Sequence, residues 1–138
     1  MRASPGFVTF SWHAHAGVEA CHELRAWNIL LRLMNITPQE LKSRLDAGKK
    51  FRLIDVREQD EWAFNRIPGA ELIPLSQFQK RGPDELAPED EIVLYCHHGV
   101  RSGQAQGFLK AQGYENVLNL SGGIDAWSAQ VDPSVPRY

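Results

Sequence analysis

From Phe51 to Ala129 the chain alternates four short apolar runs with stretches of helical spacing, and that alternation leaves few folds open. The runs are Phe51-Arg52-Leu53-Ile54-Asp55-Val56, Glu71-Leu72-Ile73-Pro74, Glu91-Ile92-Val93-Leu94-Tyr95 and Val117-Leu118-Asn119-Leu120. Helices are expected between them at Glu58 to Asn65, Ser76 to Lys80 and Ser102 to Gln112, with one more from Ile124 to Ala129 after the last run. Strands separated by helices need right-handed crossovers, so the sheet is parallel and covered by helices on both faces. The fold class is α/β. Ligands in such sheets bind beyond the C-terminal strand ends, where Asp55 and Cys96 both fall.

The regular pattern starts at Asn35-Ile36-Thr37-Pro38-Gln39-Glu40. Thr37 can cap a helix there, Pro38 fits its first turn, Leu41 and Leu45 supply its apolar face, and Gly48 stops it. Residues 1–33 differ in texture: a flexible start, then one amphipathic helix over Val18 to Leu33. Met34, directly before the regular pattern, marks an alternative start of translation. With 138 residues and 43% hydrophobic content, one core is the working count. The division is therefore an extension over residues 1–33 and a domain over residues 34–138.

Fifteen basic and seventeen acidic residues are spread along the chain without long like-charged blocks, which gives no reason to expect nucleic acid as a partner. No run approaches the roughly 18 apolar residues that a membrane span needs, so no membrane partner is expected. The opening Gly6-Phe7-Val8-Thr9-Phe10-Ser11-Trp12 imitates a secretory signal, but it is short and carries Thr9 and Ser11. Two cysteines, Cys21 and Cys96, lie in segments of different character, which argues against a disulfide framework and for a reducing compartment, the cytoplasm. His13, His15, Cys21 and His22 match no zinc spacing, so no metal is expected.

The chemistry concentrates in Cys96-His97-His98-Gly99-Val100-Arg101-Ser102, between the strongest strand and a helix. A loop in that position can converge its backbone N–H groups on one point, backed by the positive end of the helix. Such surroundings favour a thiolate, the nucleophilic form of cysteine. Gly99 permits the tight backbone path, and Arg101 on the far lip can hold an anion bidentately. Taken alone, a cysteine after a strand is as often a small buried hydrophobe. Gly99, Arg101 and Ser102 at these offsets favour the reactive thiol.

Together with Leu53-Ile54-Asp55-Val56-Arg57-Glu58, Ile67-Pro68-Gly69-Ala70 and Gly122-Gly123-Ile124-Asp125-Ala126-Trp127, this loop resembles the rhodanese family, segment by segment and in the same order, from about Ile36 to Trp127. It is also similar to the sulfur-transferring domain attached to some molybdopterin-synthase adenylyltransferases. The resemblance implies a five-stranded parallel sheet flanked by helices, and no metal or organic cofactor. It implies transfer of sulfane sulfur, from thiosulfate or a persulfide, through a persulfide on Cys96 to a thiol, cyanide or protein acceptor. Carried over to this sequence, Cys96 is the nucleophile, the amides of His97, His98, Gly99, Val100, Arg101 and Ser102 stabilise anionic sulfur, and Arg101 binds a sulfonate end. Asp55 and Arg57 either order the pocket wall or form a structural ion pair. His97 and His98 either tune donor and acceptor choice or are loop residues without a chemical role, and Trp62 and Trp127 are expected to be packing residues. Relatives often carry histidine before Ile-Pro-Gly-Ala, where this chain has Arg66, which leaves donor preference open.

Two other functions fit less well. Cysteine phosphatases and arsenate reductases use a similar anion loop, but theirs is one residue longer than the four-residue spacing from Cys96 to Arg101. A non-catalytic binding module on the same fold would not need Cys96, Gly99 and Arg101 together.

Overall fold

The computed structural model describes residues 24–30 and 33–138. Residues 24–30 are helical, as are 33 and 34, while the remainder of the expected Val18 to Leu33 helix and the cluster at His13, His15, Cys21 and His22 lie outside the described residues. The chain divides at Met34, and residues 34–138 form a compact unit of their own.

Five parallel strands form one sheet: β1 (Asn35–Ile36), β2 (Arg52–Asp55), β3 (Glu71–Leu72), β4 (Ile92–Tyr95) and β5 (Val117–Leu120), in spatial order β1-β5-β4-β2-β3. The helices are α1 (Pro38–Asp46), α2 (Gln59–Phe64), α3 (Leu75–Glu85), α4 (Val100–Ala111) and α5 (Gly123–Gln130). Alternate residues of a strand face opposite sides of a sheet, so strands covered on both sides are expected to be apolar at successive positions. β4 is so throughout, whereas β2 is apolar at Leu53 and Ile54, between the half-buried Arg52 and the buried Asp55. Ile54, Ile92 and Leu94 pack with Phe78 of α3 and Ala105 and Leu109 of α4, whereas Leu53, Val93 and Tyr95 pack with Leu41 of α1 and Ile124 and Trp127 of α5.

Two local readings needed correction. The helix expected from Ser76 to Lys80, with a loop through Pro83, instead runs from Leu75 to Glu85 and contains Pro83. Gly82 keeps its place there because the Phe78 ring lies against it, at 3.1 Å from where a Cβ would stand, and burial of Phe78 outweighs the weak propensity of Gly82-Pro83. The helix expected from Ser102 begins two residues earlier, at Val100. At α1 the expected cap forms, with the Glu40 backbone N–H donating to Thr37 Oγ1 at 3.1 Å.

The strand order places the site. From β2 the chain moves outward to β3, and from β4 it moves outward the other way to β5, so a crevice opens between the C-terminal ends of β2 and β4. Asp55 pairs with Tyr95 in that register, and Cys96 follows directly. Among the described residues no helix is long and apolar enough to cross a membrane.

Candidate active site

Cys96 leaves β4 at the crevice and is only 1% exposed, so its sulfur must find polar partners within the loop. The Gly99 backbone N–H donates to Sγ at 3.0 Å. Gly99 turns the chain with φ of 115°, a conformation that costs a side chain but not a glycine. Immediately beyond it α4 begins, and its first N–H groups have no acceptor within the helix, which puts partial positive charge beside the sulfur.

A second helix holds the loop from behind. At the N-terminus of α5 the backbone N–H of Ile124 donates to the Cys96 carbonyl at 2.9 Å and that of Asp125 to the His97 carbonyl at 3.1 Å. Two carbonyls that would otherwise compete for the loop interior are thereby turned away from it. Gly123 makes the approach possible: with φ of 62°, a Cβ there would stand 2.4 Å from both carbonyl oxygens.

Ser102 and Asn119 complete the sulfur's surroundings. Ser102 Oγ lies 3.3 Å from Cys96 Sγ and 2.6 Å from Asn119 Oδ1, while Asn119 Nδ2 donates to the Gly99 carbonyl at 3.0 Å. That carbonyl can only accept, so Asn119 must face Ser102 with its oxygen and take the single Ser102 proton. A Cys96 thiol then donates to Ser102 Oγ; once the sulfur is an anion, the Ser102 hydroxyl must turn from Asn119 and donate to it.

The remaining expected residues are present, with partners the sequence did not reveal. Arg101 forms a bidentate ion pair with Glu61 of α2, at 2.7 and 2.9 Å, with the two side chains 34% and 18% exposed. Its fork is thus engaged by a carboxylate of the protein itself. The hydrogen bond from Arg101, followed by that from Tyr138, outweighs burial and holds the Glu61 carboxyl down at about 2, while the same pair raises Arg101 above its ordinary range. The Tyr138 hydroxyl donates to Glu61 and accepts from Arg57 at 3.0 Å. Its ring stacks on His97 with centroids 4.0 Å apart and meets Phe64 edge-on at 5.7 Å.

Asp55 and Arg57 form a wholly buried ion pair, 2.6 Å from Arg57 Nη2 to Asp55 Oδ2. Arg57 also donates to the side-chain and backbone oxygens of Asn65 at 2.6 and 2.7 Å. Burial pulls the Arg57 guanidinium toward neutrality, but the bonds to Asp55 and Tyr138 prevail and raise it. Neither residue points a free polar atom at Cys96; both brace the wall through Asn65 and Tyr138. His98 is exposed and packs on His97 at 3.9 Å, and Val100 is 73% exposed on the rim. Trp127 is a core residue, and Arg66 is exposed with its guanidinium over the Trp62 ring at 4.4 Å.

Sequence reasoning missed Glu61, Asn119, Gly123 and Tyr138. Asn119 had a signal, a polar residue inside an apolar strand, and Gly123 had one as the second of two glycines before a helix. Glu61 looked like an ordinary first-turn acid, and Tyr138 lies beyond every recognisable segment.

The Rhodanese-like domain family matches residues 37–130. The probable adenylyltransferase/sulfurtransferase MoeZ of Mycobacterium tuberculosis is 43% identical over 104 residues, which is 75% of this chain and 26% of that protein. The chain thus spans about a quarter of that relative's length. A sulfurtransferase of Allochromatium vinosum is 38% identical over 100 residues, covering 72% of this chain and 92% of that one. The crystal structure of a rhodanese-like domain protein from Staphylococcus aureus superposes with a TM-score of 0.66 at 30% identity, covering 77% of this chain and 99% of the other.

Two outcomes are expected. Gly123→Ala should lower stability by about 2–5 kcal/mol in urea unfolding, from left-handed strain plus overpacking; a loss below about 1 kcal/mol would mean that α5 does not pin the loop. Glu61 should titrate well below its ordinary 4.5 when its carboxyl carbon is followed by NMR, and Arg101→Ala should move the midpoint upward. Because the folded value is depressed, this pair's stabilisation is full above about 4.5 and is lost as pH falls toward about 2.

Proposed function

The chain belongs to the rhodanese-like domain family, and from that membership and the geometry at Cys96 we propose that it is a sulfurtransferase. It moves sulfane sulfur from thiosulfate or a persulfide donor to a thiophilic acceptor through a persulfide on Cys96. The observation that carries this reading is the Cys96 sulfur receiving the Gly99 N–H at 3.0 Å where a strand meets the start of a helix. An atom so placed is stabilised as an anion without a metal or an organic cofactor.

The Cys96 thiolate attacks the outer sulfur of the donor. A bond forms between Cys96 Sγ and that sulfur as the donor's own sulfur–sulfur bond breaks, and the leaving group departs with the bonding electron pair. Sulfite leaves from thiosulfate, a thiolate from a persulfide. An acceptor thiol, cyanide or protein thiolate then attacks the terminal sulfur and returns Cys96 to its starting state. No net oxidation occurs in either half. Gly99 N–H and a reoriented Ser102 hydroxyl stabilise the sulfur anion, with Asn119 still holding the Gly99 carbonyl. The thiol must stay reduced between turnovers, so a reducing compartment such as the cytoplasm suits the reaction. In this reading residues 34–138 are the catalytic domain and residues 1–33 an extension to it.

The test is intact-protein mass after incubation with a sulfur donor, followed by a cyanide chase and thiocyanate detection. The wild type should gain one sulfur and lose it to cyanide. Cys96→Ser should gain none and form no thiocyanate above background, with its thermal midpoint within a few degrees of wild type. Undiminished transfer by Cys96→Ser would overturn the mechanism.

A further inference from the structure

We infer that Glu61 is a specificity-determining residue, which occupies Arg101 and so turns the site toward alkyl persulfide donors and away from thiosulfate. The inference rests on the sulfur-transfer reading and narrows it.

The two donors differ mainly in the group that leaves. Thiosulfate carries a dianion whose sulfonate oxygens need a cationic fork; an alkyl persulfide carries a carbon chain and, at most, one negative charge on sulfur. Arg101 is the cation nearest the nucleophile in the loop, five residues beyond Cys96. Both its terminal nitrogens are already bonded to both oxygens of Glu61. A sulfonate must either use the three N–H groups of Arg101 that Glu61 leaves over, still beside that carboxylate's negative charge, or take the fork by displacing Glu61 and leave a largely buried carboxylate without its partner beside the incoming dianion. The second is the costly arrangement for a charge out of water. Tyr138 adds to the barrier, since its hydroxyl also donates to Glu61 and its ring lies against His97. Glu61 is held from two sides, so it does not swing out freely.

The rim agrees with the charge pattern. Val100 is 73% exposed, Phe64 53% and Tyr138 47%, and the last two are in contact. Arg137, the next cation along the chain from Tyr138, is paired with Asp125. A mouth edged by apolar side chains and by cations already paired suits the alkyl part of a persulfide better than a free sulfonate. In the loading step the persulfide's sulfur–sulfur bond breaks, the outer sulfur bonds to Cys96, and the alkyl thiolate leaves with the electron pair.

The experiment compares single-turnover loading of Cys96 by 2-hydroxyethyl persulfide, which carries no carboxylate, and by thiosulfate, read as intact mass, in the full chain and in Glu61→Gln and Glu61→Asp. In the wild type, loading by the persulfide should saturate while loading by thiosulfate rises linearly with concentration. Glu61→Gln should raise the ratio of thiosulfate to persulfide rate constants about tenfold, and Glu61→Asp, which keeps the charge, should stay within about twofold of wild type. An unchanged ratio in a Glu61→Gln protein that melts as a folded domain would overturn the inference. Should that variant not fold, wild-type protein whose loading saturates with thiosulfate as readily as with the persulfide would overturn it equally. Loading by neither donor would bring down the sulfur-transfer reading, and this inference with it.

Discussion

Arg57 is a full positive charge with no exposure to water, and much of the architecture around the crevice answers to it. A buried guanidinium is tolerable only when its donors are met, and here Asp55 at the end of β2, both oxygens of Asn65 before the Ile67-Pro68 turn, and the Tyr138 hydroxyl meet them. Each partner comes from a different part of the chain, so the charge fixes where those parts stand relative to one another. Asn65 in turn donates to the Pro136 carbonyl at 2.6 Å, tying the last residues to the same point. Asp55 and Arg57 thus act on the site without touching the sulfur. Their influence passes through Tyr138 to Glu61 and from there to Arg101, on the lip of the Cys96 loop.

The loop itself is shaped by two helix starts that do opposite things. The beginning of α4 leaves N–H groups without intrahelical acceptors on the sulfur's side, whereas the beginning of α5 spends its N–H groups on the carbonyls of Cys96 and His97. A trans peptide plane that turns its carbonyl one way turns its N–H the other, so pinning the Cys96 and His97 carbonyls orients the N–H groups of His97 and His98 away from α5, just before the Gly99 N–H that reaches the sulfur. Gly99, Gly122 and Gly123 stand where this folding back requires a positive φ, and Gly123 also where two backbones meet too closely for a Cβ.

Much of this was legible in the sequence because it depends on neighbours. The parallel α/β sheet followed from short apolar runs alternating with stretches of helical spacing, and the position of Cys96 followed from where β4 ends. What sequence could not give were pairings across distance: Glu61 with Arg101, 40 residues apart, Ser102 with Asn119, 17 apart, and Tyr138 with Glu61, 77 apart. An acid in the first turn of a helix is explained by the helix dipole alone, so Glu61 gave no sign of a second role. The misjudged α3 has the same origin. Gly82-Pro83 reads locally as a loop, and only the Phe78 ring, buried against the sheet, makes the helix continue through it.

The charges near the crevice are balanced among themselves: Asp55 with Arg57, Glu61 with Arg101, Asp125 with Arg137. A Coulombic field with paired sources falls off quickly, so little net attraction reaches out to draw a multiply charged anion from solvent. Backbone dipoles behave differently, since they act at contact distance and on the atom they point to. The Gly99 N–H and the start of α4 favour negative charge on one sulfur position and almost nowhere else. For the proposed chemistry that division has a consequence. The protein stabilises the charge that is common to every step, on the sulfur of Cys96 or the one attached to it, and leaves the leaving group and the acceptor to be distinguished by the shape and pairing of the rim.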